Sequence, residues 1–370
     1  MASTLISPKA GPIPGTLLAW FTDGLRATMR GAGHQLADDA MPARDAAGVA
    51  LHPVDVAAPH SYRRRSRAVF VVGIGEVERA PDDLLRTGYP LLLRTLGNIF
   101  VLVAHQDAGG AGPIASFFTL EQGTYSIQHR GDDAAFFAAV VARLAPLATS
   151  RLVIDNDFHH DLPESLWHGD EHSAALTRAG QKLDELDLLP APFPLEDFLS
   201  PRDFRHVRQL FNIGGLSYGN LSQRRNASTF WMSASGVDKS KLRQIGRDIL
   251  LVTGFDAGRG AIQLSVPPAI RPRRVSVDAI EHIMIYREHP AVGAILHIHA
   301  WMDGIPSTAV NYPCGTEELA VAVAELVRQA PDPAHAVVGL KNHGLTITGE
   351  SLDEIFLRTE GKILRQVPMT

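Results

Sequence analysis

The sequence has only one cysteine, Cys314, so an intrachain disulfide is excluded. A single cysteine is typical of a protein that works in a reducing compartment, which predicts a cytoplasmic location. Long apolar runs are missing as well. Prolines interrupt the first fifteen residues, MASTLISPKAGPIPG, and no later segment approaches the roughly 20 apolar residues that span a bilayer. We therefore expect neither a secretory signal nor contact with a membrane.

An excess of charge of either sign is also missing. The formal net charge is -5 and the sequence pI is about 6.3, which gives no reason to expect nucleic acid as a partner. The hydrophobic content of 45% and the charged content of 20% are those of an ordinary globular protein. Since 370 residues exceed one typical hydrophobic core, we expect two domains.

Hydrophobic periodicity divides the first half of the chain into three parts. Residues 1–66, rich in Ala, Gly, Pro and Asp, predict a peripheral segment with one helix over 17–30. Residues 67–175 alternate strand and helix patterns and predict an α/β domain of unknown role. Residues 176–200 predict the rest of a helix followed by a linker, because prolines at 190, 192 and 194 cannot continue a helix. The second domain is then expected over 201–370.

The connection DNDFHHDLPESLWHGDEH, at 155–172, is dense in His, Asp and Glu. These are metal-ligand types, but their spacing matches no recognised metal loop. A solvated connection is the preferred interpretation, and a second metal site is the alternative.

Two histidines interrupt the apolar stretch AVGAILHIHAW, 291–301. Its alternation predicts a strand with one apolar face, and His297 and His299 share the other face. An i, i+2 pair on a strand points two imidazoles the same way, close enough to hold one divalent ion.

A third histidine lies in AVVGLKNHGLTITG, which predicts two strands joined at a tight corner that displays His343. Three histidines on neighbouring strands would supply the protein ligands of an open catalytic zinc site. The helix that precedes the histidine strand is expected to have Ser276 as its N-cap and Asp278 in its first turn, with a buried stripe of Val277, Ile280 and Met284.

Small polar residues occur at two predicted turns. Gly219, Asn220 and Ser222 lie between a helix predicted over 202–214 and a strand, and Ser235 and Gly236 end that strand. Backbone N–H groups at such turns can face an anion, although a plain turn is the simpler interpretation of each.

The second half of the chain contains five motifs in the order GNLSQR, SASGVDKSKL, the helix before LHIHAW, GTEEL and LKNHGL. By these motifs and their order it resembles the class II aldolase/adducin family, which includes fuculose-phosphate aldolase and ribulose-phosphate 4-epimerase. The resemblance covers about 200–370. It implies a three-layer α/β/α domain, a central sheet between helical layers, and subunits that assemble as a homo-oligomer.

For the site, the resemblance implies that His297, His299 and His343 bind a divalent ion, most often Zn²⁺, with Mn²⁺, Co²⁺ or Fe²⁺ as alternatives. It places Asp278 at the acid/base position. It also implies that a small-molecule substrate, phosphorylated in the family, contacts five further residues, which are Gly219, Asn220, Ser235, Gly236 and Ser276.

The chain departs from the family pattern at three places. Val277 stands where the family has a phosphate-binding serine, the segment between His299 and His343 is short, and no tyrosine tail precedes Thr370. The phosphate and the second proton-transfer residue are therefore left open.

These features predict a metal-dependent lyase that performs aldolase-type C–C cleavage through a metal-stabilised enediolate of a small hydroxy-ketone or hydroxy-acid. A sugar-phosphate epimerase or a decarboxylase would use the same site. A non-catalytic, adducin-like interaction module is the alternative from another class.

Overall fold

The computed structural model describes residues 4–7, 16–38, 48–62, 69–105, 112–120, 123–186, 188, 197, 199–205 and 219–370. The chain divides into two compact units. Unit 1 comprises 1–150, 191–210 and 369–370, and unit 2 comprises 151–190 and 211–368.

Unit 1 is built on a seven-stranded sheet in the order β2-β1-β3-β4-β5-β6-β7. The first five strands in this order are parallel, and β6 and β7 add an antiparallel hairpin at one edge. The strands are β1 (Thr4–Ser7), β2 (Gln35–Asp38), β3 (Gly48–Pro53), β4 (Val69–Arg79), β5 (Ile99–His105), β6 (Ile114–Thr119) and β7 (Thr124–Gln128).

Three long helices within the described residues of unit 1 pack on this sheet: α1 (Leu17–Gly31), α2 (Leu84–Thr95) and α3 (Asp133–Thr149). Helices α1 and α3 pack together through an aromatic cluster that includes Phe21 and Phe137, and α2 packs on β5 and β6. The helix expected over 17–30 is present, and Pro90 lies inside α2 without ending it.

The N-terminal 66 residues are not peripheral, because β1, β2 and β3 are integral strands of the sheet in unit 1. The expected limits of the next domain also differ from the structure. Residues 155–159 form β8, which pairs in parallel with Ala261–Ser265 of unit 2, so the chain divides after residue 150 rather than near 175.

Unit 2 contains an eight-stranded sheet in the order β14-β15-β13-β9-β10-β11-β12-β8, antiparallel except for the β12–β8 pair. The strands are β8 (Asp155–His159), β9 (Gly219–Arg224), β10 (Phe230–Ser233), β11 (Ile249–Asp256), β12 (Ala261–Ser265), β13 (Ala294–Ile298), β14 (Val337–Leu340) and β15 (Gly344–Gly349). The predicted histidine strand is thus β13, an interior strand between β15 and β9.

The part of unit 2 that the structure describes also contains four α-helices: α4 (Glu171–Glu185), α5 (Ala279–Glu288), α6 (Glu317–Gln329) and α7 (Leu352–Thr359). Helix α4 packs against α7, and α5 packs against α6. Neighbouring residues of β9 point to these two pairs: Ser222 bonds to His282 of α5, while the Gln223 side chain accepts from the Leu352 N–H of α7. Because successive side chains of a strand face opposite ways, the sheet lies between two helical layers. Unit 2 is therefore a three-layer α/β/α domain.

Three local expectations were wrong. The segment GNLSQR is a buried strand, β9, and not a turn. Asp278, rather than Ser276, is the N-cap of α5, and its side chain makes no capping hydrogen bond. The expected buried stripe of α5 holds only at Ile280, because Val277 and Met284 are half-buried, whereas Glu281 and His282 are as buried as Ile280.

The proline cluster at 190, 192 and 194 and most of the helix expected over 202–214 lie outside the described residues. Among the residues that are described, no helix combines the length and the apolar character needed to cross a bilayer.

Candidate functional site

Three imidazole rings converge at one end of the central strands of unit 2. The ring centroids of His297 and His299 are 5.3 Å apart, those of His297 and His343 4.8 Å, and those of His299 and His343 5.1 Å. One nitrogen from each ring lies within 4.8 Å of the other two. The predicted triad therefore meets in space, and within the described parts of the chain no other group of three or more His, Cys, Asp or Glu side chains does so.

His297 lies in β13, where its backbone is paired with Asn220 of β9 on one side and Thr346 of β15 on the other. Its side chain is fully buried. The Nδ1 atom is 3.4 Å from Thr346 Oγ1, and the buried Nε2 atom has no hydrogen-bond partner. Burial, together with the neighbouring histidines, holds the pKa of His297 well below its usual value, so the ring is neutral and can donate a lone pair.

His343 reaches the triad from the tight corner between β14 and β15. Asn342 has a positive φ of 56°, and an added side chain at Gly344 would come within 2.2 Å of the Ile298 carbonyl oxygen. The corner therefore depends on glycine to approach the end of β13. Burial lowers the pKa of His343 to about 4, which leaves this ring neutral at physiological pH.

Cys314 is a polar neighbour of His343 that sequence reasoning did not identify. Its Sγ atom is 3.3 Å from His343 Nε2, and the cysteine is half-buried. Its loop is held close to the start of α5, because Gly315 leaves no room for a side chain next to Val277. A thiol therefore borders the triad.

Asp278 is almost fully buried at the start of α5, and its Oδ2 atom accepts a 2.8 Å hydrogen bond from the Asn220 side-chain amide. Asn220 is the register partner of His297, so this bond ties the carboxylate to the strand beside the triad. The structure thus brings the predicted acid/base residue and one predicted substrate residue together.

One turn further along α5, Glu281 is buried and accepts a 2.5 Å hydrogen bond from Thr346 Oγ1. Burial, reinforced by the negative charge of Asp278, raises the pKa of Glu281 to about 8. Sequence reasoning missed this residue, although one signal for it was present: a carboxylate directly after Ile280 of the expected buried stripe.

A further buried network supports the same helix. Ser222 Oγ lies 2.7 Å from His282 Nδ1 and 2.9 Å from Tyr286 Oη. Burial lowers the pKa of His282 to about 3 and raises the pKa of Tyr286, so both side chains are neutral near pH 7. Ser222 thus joins β9 to α5 rather than lining a turn.

The remaining predicted substrate residues lie on two adjacent segments. An antiparallel bridge joins Ala234 to Val275 and places Ser235 opposite Arg274 and Ser276 opposite Ser233, with hydrogen bonds from Ser235 N to the Arg274 carbonyl and from Ser276 N to the Ser233 carbonyl. Gly236 follows with a positive φ of 63°. Gly219, the first residue of β9, is explained by packing instead, because a Cβ there would lie 2.0 Å from the His297 carbonyl oxygen.

The donor set fits a divalent ion. Two of the three histidines are buried and neutral, the Nε2 atom of His297 is buried without a partner, and two carboxylates lie nearby on α5. Nitrogen ligands of this kind, with room left for a substrate atom, are typical of catalytic zinc sites.

Comparisons with known proteins find similarity in the part of the chain that carries His297 and His299. Residues 208–302 match the family model of the class II aldolase and adducin N-terminal domain. Methylthioribulose-1-phosphate dehydratase of Sodalis glossinidius is 28% identical over 172 residues, which are 39% of this chain and 80% of the relative. The enzyme of the same name from Xanthomonas campestris is 30% identical over 104 residues, 28% of this chain and 42% of that relative.

Two solved structures can be set beside the chain. An L-fuculose 1-phosphate aldolase has a TM-score of 0.36 at 19% identity, covering 52% of this chain and 81% of its own. The L-fuculose-1-phosphate aldolase of Thermus thermophilus has a TM-score of 0.32 at 20% identity, covering 50% of this chain and 85% of its own.

Proposed function

Since residues 208–302 match the class II aldolase and adducin domain, we propose that the protein is a divalent-metal-dependent lyase that acts on a small hydroxy-ketone or hydroxy-acid. The observation that carries the proposal is the meeting of His297, His299 and His343 from separate points of the chain. A fold retained only for interaction would not need to keep three ring nitrogens within 4.8 Å of one another.

In this proposal the three histidines hold the ion, with zinc as the first candidate because imidazole nitrogen is one of its usual ligands. The bound ion supplies Lewis-acid polarisation of the substrate's carbonyl and neighbouring hydroxyl oxygens. The chain contributes neutral rings at pH 7, since the depressed pKa values of His297 and His343 spare the ion any competition from protons.

Asp278 moves a proton at the carbon beside that carbonyl. Its Oδ2 atom is fixed by the Asn220 amide, so the carboxylate is oriented before substrate arrives. Proton transfer by a positioned group contributes typically about 10²–10⁴-fold in rate. Ser235, Gly236 and Ser276 border the same end of the sheet and are assigned to the far end of the substrate, including a phosphate if it carries one.

Two lyase reactions use a proton transfer at this carbon. In aldol-type cleavage the neighbouring hydroxyl loses its proton, the C–C bond breaks, and Asp278 gives a proton to the carbon that keeps the electron pair. In dehydration Asp278 takes the proton from this carbon, and the hydroxyl on the next carbon is protonated and leaves as water. The names of the curated relatives favour dehydration, at 28–30% identity. Epimerisation and decarboxylation require the same ion and remain alternatives, and a non-catalytic module requires none of these groups.

The test is the metal content and the activity of the purified full chain. Wild type, His343→Gln and Asp278→Asn are compared by elemental analysis and then assayed on methylthioribulose 1-phosphate for dehydration and on fuculose 1-phosphate for cleavage. We expect one ion per chain in wild type and in Asp278→Asn, none in His343→Gln, and activity in wild type alone. If the wild-type protein takes up no divalent ion, the lyase proposal fails and the non-catalytic module is the remaining interpretation.

The cellular setting is part of the same proposal. The single cysteine, half-buried beside His343, supports a reducing cytoplasm. The proposal that the protein forms a homo-oligomer rests on the family resemblance, and light scattering of the purified protein tests it.

A further inference from the structure

Three buried side chains from different elements form a line that ends at the triad. Thr346 of β15 lies directly across from His297 of β13, and its hydroxyl donates to the carboxyl of Glu281 on α5. The distances are 3.4 Å from His297 Nδ1 to Thr346 Oγ1 and 2.5 Å from Thr346 Oγ1 to Glu281 Oε1. All three residues are at most 1% exposed.

When the Glu281 carboxyl is ionised and can only accept, the hydrogen count along this line leaves one arrangement. A threonine hydroxyl has a single hydrogen, and here that hydrogen points to Glu281. The oxygen of Thr346 can then only accept from the histidine ring. His297 must therefore carry its proton on Nδ1, which leaves the lone pair on Nε2, the buried atom that has no partner.

We propose that Glu281 and Thr346 are positioning residues that fix the tautomer and the orientation of His297, so that its Nε2 atom is the one offered to a metal ion. The inference rests on the proposed metal site and adds two residues that act on it without touching ion or substrate. Partners behind a ligating histidine are known to orient the ring and to raise its basicity.

Packing alone gives no reason for these two polar groups. Thr346 alternates along β15 with buried Leu345 and Ile347, and Glu281 is flanked on α5 by buried Ile280 and His282. A carboxyl buried in such surroundings costs free energy unless it is hydrogen-bonded, and a valine facing a leucine would fill the same space without that cost.

The experiment measures Zn²⁺ and Co²⁺ affinity of the full chain by competition with a chelator. Thr346→Val removes only the hydroxyl and should weaken binding about 10–100-fold, the usual effect of losing such a partner. Glu281→Met removes the acceptor and should lose the same amount. The double variant should bind no more weakly than either single variant, because both act through one line of hydrogen bonds.

Two controls separate positioning from a general loss of packing. Thr346→Ser keeps the hydroxyl and should bind metal within about threefold of wild type. Thr348→Val removes a buried hydroxyl from the same strand that bonds to the Pro333 carbonyl instead, and it should also leave the affinity within about threefold. Melting temperatures of the metal-free variants verify that each chain is folded.

A second measurement tests the tautomer of His297 directly, without a substitution at Thr346 or Glu281. The ¹⁵N spectrum of metal-free wild type at about pH 10, where Glu281 is ionised, should show the proton of His297 on Nδ1, with the His297 signals identified by their loss in His297→Gln. A proton on Nε2, unchanged affinity in Thr346→Val, or additive losses in the double variant would each overturn the inference. If wild type binds no ion, the proposed function fails, while the tautomer still decides whether this line orients the ring.

Discussion

Uptake of a divalent ion should expel a proton from Glu281 at pH 7. Burial and the charge of Asp278 raise the pKa of this carboxyl to about 8, so about nine in ten chains carry the proton when no ion is bound. His343, with a pKa of about 4, and His297, with a pKa well below its usual value, have almost no protons left to lose.

The size of the effect follows from the distances. The path from the Glu281 carboxyl through Thr346 and the His297 ring to an ion on Nε2 is about 10 Å long, with a metal–nitrogen bond of about 2 Å at its end. At an effective dielectric constant of about 20, a double positive charge at that separation stabilises the carboxylate by about 3 kcal/mol. This lowers the pKa of Glu281 by about 2, and the loss of proton at pH 7 is then roughly 0.8 per ion bound.

Isothermal titration calorimetry at pH 7 in two buffers of different ionisation enthalpy counts these protons. Glu281→Gln keeps an oxygen that can accept from Thr346 but has no proton to release, so it should bind the ion with roughly 0.8 fewer protons expelled. Between about pH 6 and pH 8, which are the pKa values of Glu281 with and without the ion, the wild-type affinity should rise with pH relative to that of the variant, by up to about tenfold per pH unit. It should level off on both sides of this range. Equal proton release by the two proteins would refute the reasoning.

Three further changes test other parts of the site. Asp278→Asn should keep the metal ion while kcat falls by about 10²–10⁴-fold, and a variant that loses the ion instead would move Asp278 from proton transfer to metal binding. Gly219→Ala should reduce the free energy of unfolding by about 2–3 kcal/mol in urea, because its Cβ would lie 2.0 Å from the His297 carbonyl oxygen; unchanged stability would contradict this contact. Alkylation of Cys314 by N-ethylmaleimide should weaken metal binding at least tenfold, since Sγ is 3.3 Å from His343 Nε2, and Cys314→Ser should resist the reagent; an alkylated wild type of full affinity would place the thiol outside the site.

Local sequence pattern was sufficient to predict the strand and the corner that carry the candidate metal ligands. Alternation around His297 predicts a strand from neighbours that are adjacent in sequence, and β13 is that strand. The corner that carries His343 is likewise encoded within a few residues by Asn342 and Gly344. Features of this kind depend on backbone geometry that each segment specifies by itself.

The strand β9 shows where local pattern fails. Small polar residues such as Asn220 and Ser222 are typical of turns, so the segment was expected to be one. In the structure both are buried at the centre of a sheet, because Asp278 and His282, about 60 positions later, supply their hydrogen bonds. Pairing across that distance leaves no periodic signal in either segment. The short strands β1 to β3 were missed for a related reason, since they gain their partners only from the assembled sheet.

Helix α5 explains why the two carboxylates could not be assigned from sequence. Acidic residues near the start of a helix ordinarily complement its dipole from the solvent side, and DAIE fits that pattern. Yet α5 is buried over nearly its whole circumference, between the sheet and α6, so no solvent side exists for Asp278 or Glu281. Each must therefore find a polar partner on the sheet: Asp278 takes the amide of Asn220, and Glu281 takes the hydroxyl of Thr346. Both partners stand next to His297 in neighbouring strands, so burying this helix places two carboxyl groups on either side of a ring whose Nε2 atom has no hydrogen-bond partner.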